Sequence, residues 1–188
     1  MKPNRNLPFS AVELDNGFWH DRQELNRNVT IRNVWKRFEE TGRFASFRLD
    51  WKEGMPHKPH NLYDSYVAKW MESAAYILQM HPDPWLEERM EELVGLIVAH
   101  QQEDGYFNVY FTVVEPENRF RQRFAHELYC AGHLIEAAVA YQNATGRDRF
   151  LRAMCRYADC IARVFMEEQA PPFATPGHEE IELALVKL

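Results

Sequence analysis

Apolar residues recur at a helical period along almost the whole chain. Spacings of three and four residues between hydrophobic positions are typical of helices that bury one face, so they predict an all-α protein. The pattern predicts six helices, at residues 23–40, 64–80, 83–102, 126–144, 148–168 and 178–188. Residues 1–22 precede the first helix and are expected to form an extended segment. The run "YFNVYFTVV", residues 106–114, is rich in β-forming residues and predicts a short extended stretch.

Turn and cap residues mark the helix boundaries. Gly42 follows the first helix, where a left-handed residue is favoured. Asp64 and Asp148 are the predicted N-caps of the second and fifth helices, because a carboxylate accepts hydrogen bonds from the first free N–H groups. Asp83 is predicted to cap the third helix, with Pro84 in its first turn.

The lengths of the connections alternate between short and long. Short connections join the second helix to the third and the fourth to the fifth, whereas long loops follow the first, third and fifth helices. If successive helices are antiparallel, as short connections favour, the long loops and the starts of the second, fourth and sixth helices share one end of the array. We call this end the rim, and loops of this kind usually hold the functional residues. Asp64, His126 and His178 are therefore expected near the rim.

Composition narrows the class of protein. The chain is 46% hydrophobic and 13% aromatic, so a folded domain with a large core is expected at residues 23–188. A net charge of −6 argues against nucleic-acid binding. No stretch has the ~20 apolar residues of a membrane span, and the N-terminus lacks the apolar stretch of a signal peptide, so no membrane partner is expected.

Cys130, Cys155 and Cys160 form no CxxC pair and predict reduced thiols in the cytoplasm.

The segment "HELYCAGHLIEA" contains two histidines on one predicted helix. His126 and His133 are seven positions apart, which on a helix of 1.5 Å rise puts them about 10 Å apart, too far for one metal ion. Cys130 has permissible spacing to either histidine, but no third ligand is evident, so no metal site is predicted in this chain. His133 is expected to be a hydrogen-bonded interior residue. His126 is expected to face the rim, where an imidazole can both donate to and accept from a hydroxyl.

Two further segments place polar groups at the rim. In "PGHEEIE", His178 opens the last helix, while Glu179 and Glu180 either complement the helix dipole or join a site. In "HQQEDGYFNVYF", the candidates Gln102, Asp104 and Asn108 are of the kind that binds sugar hydroxyls. The alternative for this second segment is ordinary turn chemistry around Gly105.

Four blocks of the sequence resemble the N-terminal part of glycoside hydrolase family 127, the β-L-arabinofuranosidase-like proteins. They are "DSYVAKWMESAAYIL", "DGYFNVYF", "HELYCAGHLIEAAVAYQNATG" and "PGHEEIELALVKL". The resemblance implies an (α/α)6 toroid that releases terminal β-L-arabinofuranosyl residues with retention. It also implies a zinc-held cysteine nucleophile and a glutamate acid/base, all at positions beyond Leu188. No catalytic residue and no zinc ligand is then expected within this chain, and Cys130, Cys155 and Cys160 do not match those positions. The sugar contacts carry over to His126 and His178, with Asp64, Gln102, Asp104, Asn108 and Glu180 as secondary candidates.

These observations predict the N-terminal half of a toroid, built from antiparallel α-hairpins and truncated within the apolar helix "EEIELALVKL". Such a chain contributes to the pocket for an arabinofuranoside-type sugar but lacks the catalytic chemistry. Uncovered apolar surface is expected to promote self-association. The alternatives are a free-standing helical carbohydrate-binding or scaffold module, and a toroid enzyme that acts on another sugar.

Overall fold

The computed structural model describes residues 7–168 and 170–188, and all regular elements within them are helical. The α-helices of this part of the chain are α1 (Gly17–Leu25), α2 (Ile31–Glu40), α3 (Tyr63–Met80), α4 (Pro84–His100), α5 (Tyr110–Val113), α6 (Glu127–Thr145), α7 (Arg149–Ala162) and α8 (Glu180–Lys187). Short 3-10 turns lie at Phe9–Ala11, Ala45–Arg48 and Pro116–Asn118, and π-helical turns lie at Asn26–Thr30 and Arg163–Glu167. No helix among the described residues is both long enough and apolar enough to cross a membrane.

The helices form two layers. In the first layer, α6 lies between α3 and α8 and packs against both. In the second layer, α2 and α4 pack against α3, while α7 packs against α6 and α4. Three-residue connections join α3 to α4 and α6 to α7, as expected of antiparallel hairpins. The predicted all-α class is confirmed. Large buried side chains fill the space between the layers, among them Phe47, Met71, Met90, Phe107, Tyr141 and Phe150.

The N-terminal helix begins earlier than the sequence pattern indicates. α1 starts at Gly17, so the prediction of an extended segment over residues 1–22 is wrong from that residue onward. Residues 1–6 of that segment lie outside the described residues. The π-helical turn joins α1 to α2, which ends at Glu40, as predicted. The phenyl and indole groups of Phe18 and Trp19 are mostly exposed, so the start of α1 carries no buried stripe that periodicity could detect.

The predicted extended stretch at residues 106–114 is also wrong, because Tyr110–Val113 is the short helix α5. Here side chains, and not a neighbouring strand, accept hydrogen bonds from backbone N–H groups. Asn108 Oδ1 accepts a hydrogen bond from the Phe111 N–H at 2.9 Å, and Asp64 Oδ1 accepts one from the Val109 N–H at 3.0 Å. These acceptors start a helical turn. The segment is rich in β-forming residues because most of its side chains are buried, not because it forms a strand.

The three predicted aspartate caps behave differently. Asp83 caps α4 as predicted, since its Oδ1 accepts hydrogen bonds from the N–H groups of Trp85 and Leu86. Asp64 is not an N-cap but lies inside the first turn of α3. Asp148 occupies the N-cap position of α7, yet its carboxylate makes no cap hydrogen bond and pairs with Arg152 at 2.9 Å.

Glycine allows α6 and α8 to approach closely. A Cβ atom at Gly132 would lie 2.8 Å from Cγ of Glu180 and 3.1 Å from its carbonyl carbon, shorter than ordinary contacts. Gly132 is helical and buried, so its role is to leave space for the start of α8. Gly95 in α4 offers a comparison, because a Cβ there would meet no atom within 4 Å.

We therefore expect Gly132→Ala and Gly95→Ala to change stability in opposite directions. Gly132→Ala should lower the free energy of unfolding by about 1–3 kcal/mol, because the added methyl group displaces α8. Gly95→Ala should raise it by up to about 1 kcal/mol, because alanine favours the helix. Urea denaturation of the two purified variants measures both changes. Equal stabilisation of both variants would contradict the close approach of α6 and α8.

Candidate functional site

The starts of α3, α6 and α8 meet at the rim, as the alternation of loop lengths predicts. The Asn61 side chain, before α3, donates a hydrogen bond to the carbonyl of Ala125, before α6, at 3.0 Å. Arg123 Nε donates to the carbonyl of Pro176, before α8, at 3.4 Å. These contacts join three segments that are far apart in the sequence.

His126, which immediately precedes α6, has a strained backbone. It is the N-cap of α6 and adopts a left-handed conformation, with φ 65° and ψ 21°, which is unfavourable for residues other than glycine by about 1–3 kcal/mol. Its side chain makes no cap hydrogen bond and is half-buried. A cap hydrogen bond therefore does not account for the strained conformation.

Tyr129 lies between the histidines. Its ring centroid is 5.6 Å from that of His126, 4.4 Å from that of His133 and 4.7 Å from that of His178, all in edge-on arrangements. The Lys69 ammonium, on α3, donates a hydrogen bond to its hydroxyl. The sequence analysis missed Tyr129, although its spacing from the two histidines of α6, three and four residues, puts all three on one helix face.

His126, Tyr129 and His178 line a narrow cleft with the Arg123–Phe124 and Pro176–Gly177 segments. The predicted proximity of His126 and His178 is thus observed. The free volume of the cleft is about 10 Å³, room for no more than about one water molecule. Among the described residues alone, the cleft is therefore too small to hold a sugar.

Glu127 holds the preceding loop against α6. Its buried carboxylate accepts hydrogen bonds from the Tyr106 hydroxyl and from the Phe120 N–H, the latter at 2.7 Å. Burial raises the pKa of Glu127 to about 7. Because Glu127 follows His126 directly, these bonds also constrain the strained backbone at the rim.

The expectation that Asp64 and Asn108 contact a sugar is not met by their positions. Both residues are completely buried, with no exposed surface. Each uses its Oδ1 atom to hold a backbone N–H of the loop that contains α5. They hold the loop from the protein interior and do not line the cleft.

Gln102 and Asp104 also have a structural role that differs from the predicted one. Arg119 Nη2 donates to Asp104 Oδ2 at 2.6 Å, and Arg119 Nη1 donates to Gln102 Oε1 at 3.2 Å. The Arg119 guanidinium stacks on the ring of Tyr106 at 3.7 Å from its centroid. The amide and carboxylate thus bind Arg119, and neither residue is among those that line the cleft of His126 and His178.

Glu180 faces His133 in the interior and not the cleft. Glu180 Oε1 lies 3.1 Å from His133 Nδ1, and both residues are buried. Burial, together with the neighbouring Glu136 carboxylate, raises the pKa of Glu180 to about 7. The prediction that His133 is an interior residue is correct, but its predicted hydrogen bond is absent: neither ring nitrogen has a hydrogen-bond partner among the described residues.

The family resemblance puts the zinc ligands at positions beyond Leu188, and the surroundings of the three cysteines in this chain do not favour zinc binding. Cys130 and Cys160 are buried, and Cys155 is exposed. Burial raises the pKa of the Cys130 thiol well above its ordinary value, which disfavours the thiolate that zinc requires. Among the residues described, the group with metal-ligand spacing consists of Glu72, His133 and Glu136 and contains no cysteine. These residues do not fit a cysteine-based zinc centre.

The fold is of the toroid-like helical class found in GH127 proteins. The chain superposes on a GH127 β-L-arabinofuranosidase from Geobacillus stearothermophilus T6 with a TM-score of 0.85 and 40% identity, over 94% of this chain and 29% of the other. It superposes on a second GH127 β-arabinofuranosidase with a TM-score of 0.83 and 32% identity, over 96% of this chain and 30% of the other.

The family model described as the β-L-arabinofuranosidase GH127 catalytic domain matches residues 11–188, and the chain belongs to this family. It is also 43% identical over 130 residues to a non-reducing end β-L-arabinofuranosidase from Bifidobacterium longum subsp. longum. That alignment covers 66% of this chain and 20% of the relative. The chain therefore spans less than a third of the length of these relatives.

We expect Asp64→Asn to weaken the pH dependence of stability. Burial raises the pKa of Asp64 to about 7 from 3.8, so its contribution is fully present below about pH 4 and is lost as the pH rises to about 7. Asparagine keeps the acceptor for the Val109 N–H and never ionises. The stability of the variant relative to the original chain should rise by on the order of 3 kcal/mol between pH 4 and pH 8.

Chemical denaturation at both pH values measures this difference. Asp159→Asn, at an exposed position of α7, is the matched control and should retain the original pH dependence. Parallel pH profiles for Asp64→Asn and the original chain would show that Asp64 does not titrate in this range.

Proposed function

We propose that this chain forms one wall of the sugar-binding pocket of a glycoside hydrolase that releases terminal β-L-arabinofuranosyl residues with retention. Its role is to bind the sugar, while the cysteine nucleophile, the glutamate acid/base and the zinc ligands belong to positions outside it. The observation that carries the proposal is the shared cleft of His126 and His178, with the strained His126 at its edge. Membership of the GH127 family and the names of the relatives support the choice of sugar.

The polar groups that border the cleft match the hydrogen-bonding groups of a sugar. A neutral imidazole offers one donor and one acceptor, so His126 and His178 each complement a sugar hydroxyl, which does both. The Tyr129 hydroxyl accepts a hydrogen bond from Lys69, and its own hydrogen remains available for a sugar oxygen. The backbone of His126 is held in a rare left-handed conformation, which sets the direction in which its side chain leaves the main chain.

Substituting His126 tests the proposal directly. His126→Asn should leave stability unchanged or raise it by up to about 1 kcal/mol, because asparagine tolerates the left-handed conformation better than histidine does. It should lower kcat/KM for an aryl β-L-arabinofuranoside about 10- to 100-fold, the effect of losing hydrogen bonds worth about 1.5–3 kcal/mol. Activity is measured in the longest form of the protein that the gene encodes.

His81→Asn, in the α3–α4 connection at the other end of the helices, is the matched control and should keep full activity. If His126→Asn keeps full activity with arabinofuranosides, His126 does not bind the sugar. If the original protein cleaves only other aryl glycosides, the assignment of the sugar is wrong.

The purified 188-residue chain should not turn over an aryl β-L-arabinofuranoside, and it should elute above its monomer mass of 22.3 kDa. Apolar side chains on α1 and α8 are exposed, including Trp19 at 69% and Val186 at 86%, and patches of this kind promote association. Light scattering combined with a hydrolysis assay tests both expectations on one sample. Turnover, or a monodisperse monomer, would contradict the corresponding part of the proposal.

The cytoplasmic location stays a prediction. The free thiols of Cys130, Cys155 and Cys160 are compatible with it.

A further inference from the structure

The three helices of the first layer bring four potential metal ligands together beneath the cleft. Glu72 on α3, and His133 and Glu136 on α6, each offer a ligand atom, and these three atoms lie within 4.8 Å of one another. Glu180 on α8 lies beside this group, because its Oε1 is 3.1 Å from His133 Nδ1. His133 and Glu136 are three positions apart on α6, so both side chains lie on one helix face.

Two of the carboxylates have one oxygen engaged by a neighbour. The Tyr76 hydroxyl donates to Glu72 Oε1 at 2.9 Å, and the Lys187 ammonium donates to Glu136 Oε1. The second oxygen of Glu136, Oε2, lies 3.9 Å from His133 Nδ1. These contacts orient the two side chains, and Lys187 offsets part of the negative charge.

The remaining polar atoms of the cluster are buried without partners. Among the described residues, both ring nitrogens of His133 and the Oε1 atom of Glu180 accept and donate no hydrogen bond. The Glu180 side chain is nine-tenths buried, with 10% of its surface exposed. Because an unsatisfied buried polar group is destabilising, these three atoms, two of which belong to one imidazole ring, require an explanation.

The distance between His133 and Glu180 suits a cation bound by both residues. His133 Nδ1 and Glu180 Oε1 are 3.1 Å apart but lack the geometry of a hydrogen bond. Two ligand atoms, each about 2.1 Å from one ion, lie about 3 Å apart when their bonds to it are roughly perpendicular.

We propose that Glu72, His133, Glu136 and Glu180 bind one divalent first-row transition-metal ion between α3, α6 and α8. One imidazole with several carboxylates is a ligand set that suits Zn²⁺ or Mn²⁺. The bound ion joins the three helices that position His126, Tyr129 and His178, so it stabilises the site from beneath. The sequence analysis predicted no metal site because it considered ligands within one helix, whereas Glu72 and Glu180 come from two others.

Titration of the chain with MnCl₂ and, separately, ZnCl₂ tests the proposal. Cys155→Ser is present in all samples, because the exposed thiol would otherwise bind zinc. Calorimetry should show one equivalent of at least one of the two ions, with a rise in Tm that EDTA reverses. Glu72→Gln, an isosteric change at a half-buried position, should weaken binding at least about tenfold.

Glu182→Gln, at an exposed position of the same helix as Glu180, is the matched control and should bind as the original chain does. Two results would overturn the proposal: failure of both ions to bind, or binding that Glu72→Gln leaves unchanged. Denaturation curves for the variants without metal separate loss of ligation from loss of folding, since a folded Glu72→Gln chain should show a smaller metal-dependent rise in Tm than the original chain.

Discussion

The position of α6 between α3 and α8 is the constraint on which the other features depend. This helix is buried on nearly all sides, and alanines and Gly132 bring its neighbours close to its backbone. A helix that is surrounded in this way cannot turn or slide without opening cavities, so its register relative to α3 and α8 is determined by packing. That register brings the starts of the three helices to one rim, where His126 and His178 share a cleft.

Polar groups in this apolar environment give the site its rigidity. The carboxylates of Asp64 and Glu127 are buried, and burial raises the pKa of each to about 7. Their hydrogen bonds to the Val109 and Phe120 N–H groups fasten the loop between α4 and α6 to the helices. The strained backbone at His126 persists because these surrounding contacts determine the conformation of the chain on its C-terminal side.

The helices could be predicted where an apolar face repeats along the sequence, because burial of that face is what stabilises them. The ends of α2 and α4 and the cap at Asp83 follow from local rules of this kind. Local rules failed at Asp64 and at residues 106–114, where the carboxylate accepts a hydrogen bond from a loop 45 positions away. The same local rules assigned Gln102 and Asp104 to a sugar site, because the sequence does not reveal that both side chains accept hydrogen bonds from Arg119.

The all-α class, the helical hairpins, the family and the two histidines of the cleft could all be predicted from the residue order alone. Each of these depends on spacing along the chain or on a motif that is read within one segment. The tertiary structure alone decided that Tyr129 contacts three histidines and that Glu72, His133, Glu136 and Glu180 face one another. The reason is physical: which side chains meet across helices depends on the packing register of α3, α6 and α8, and small differences in side-chain volume determine that register.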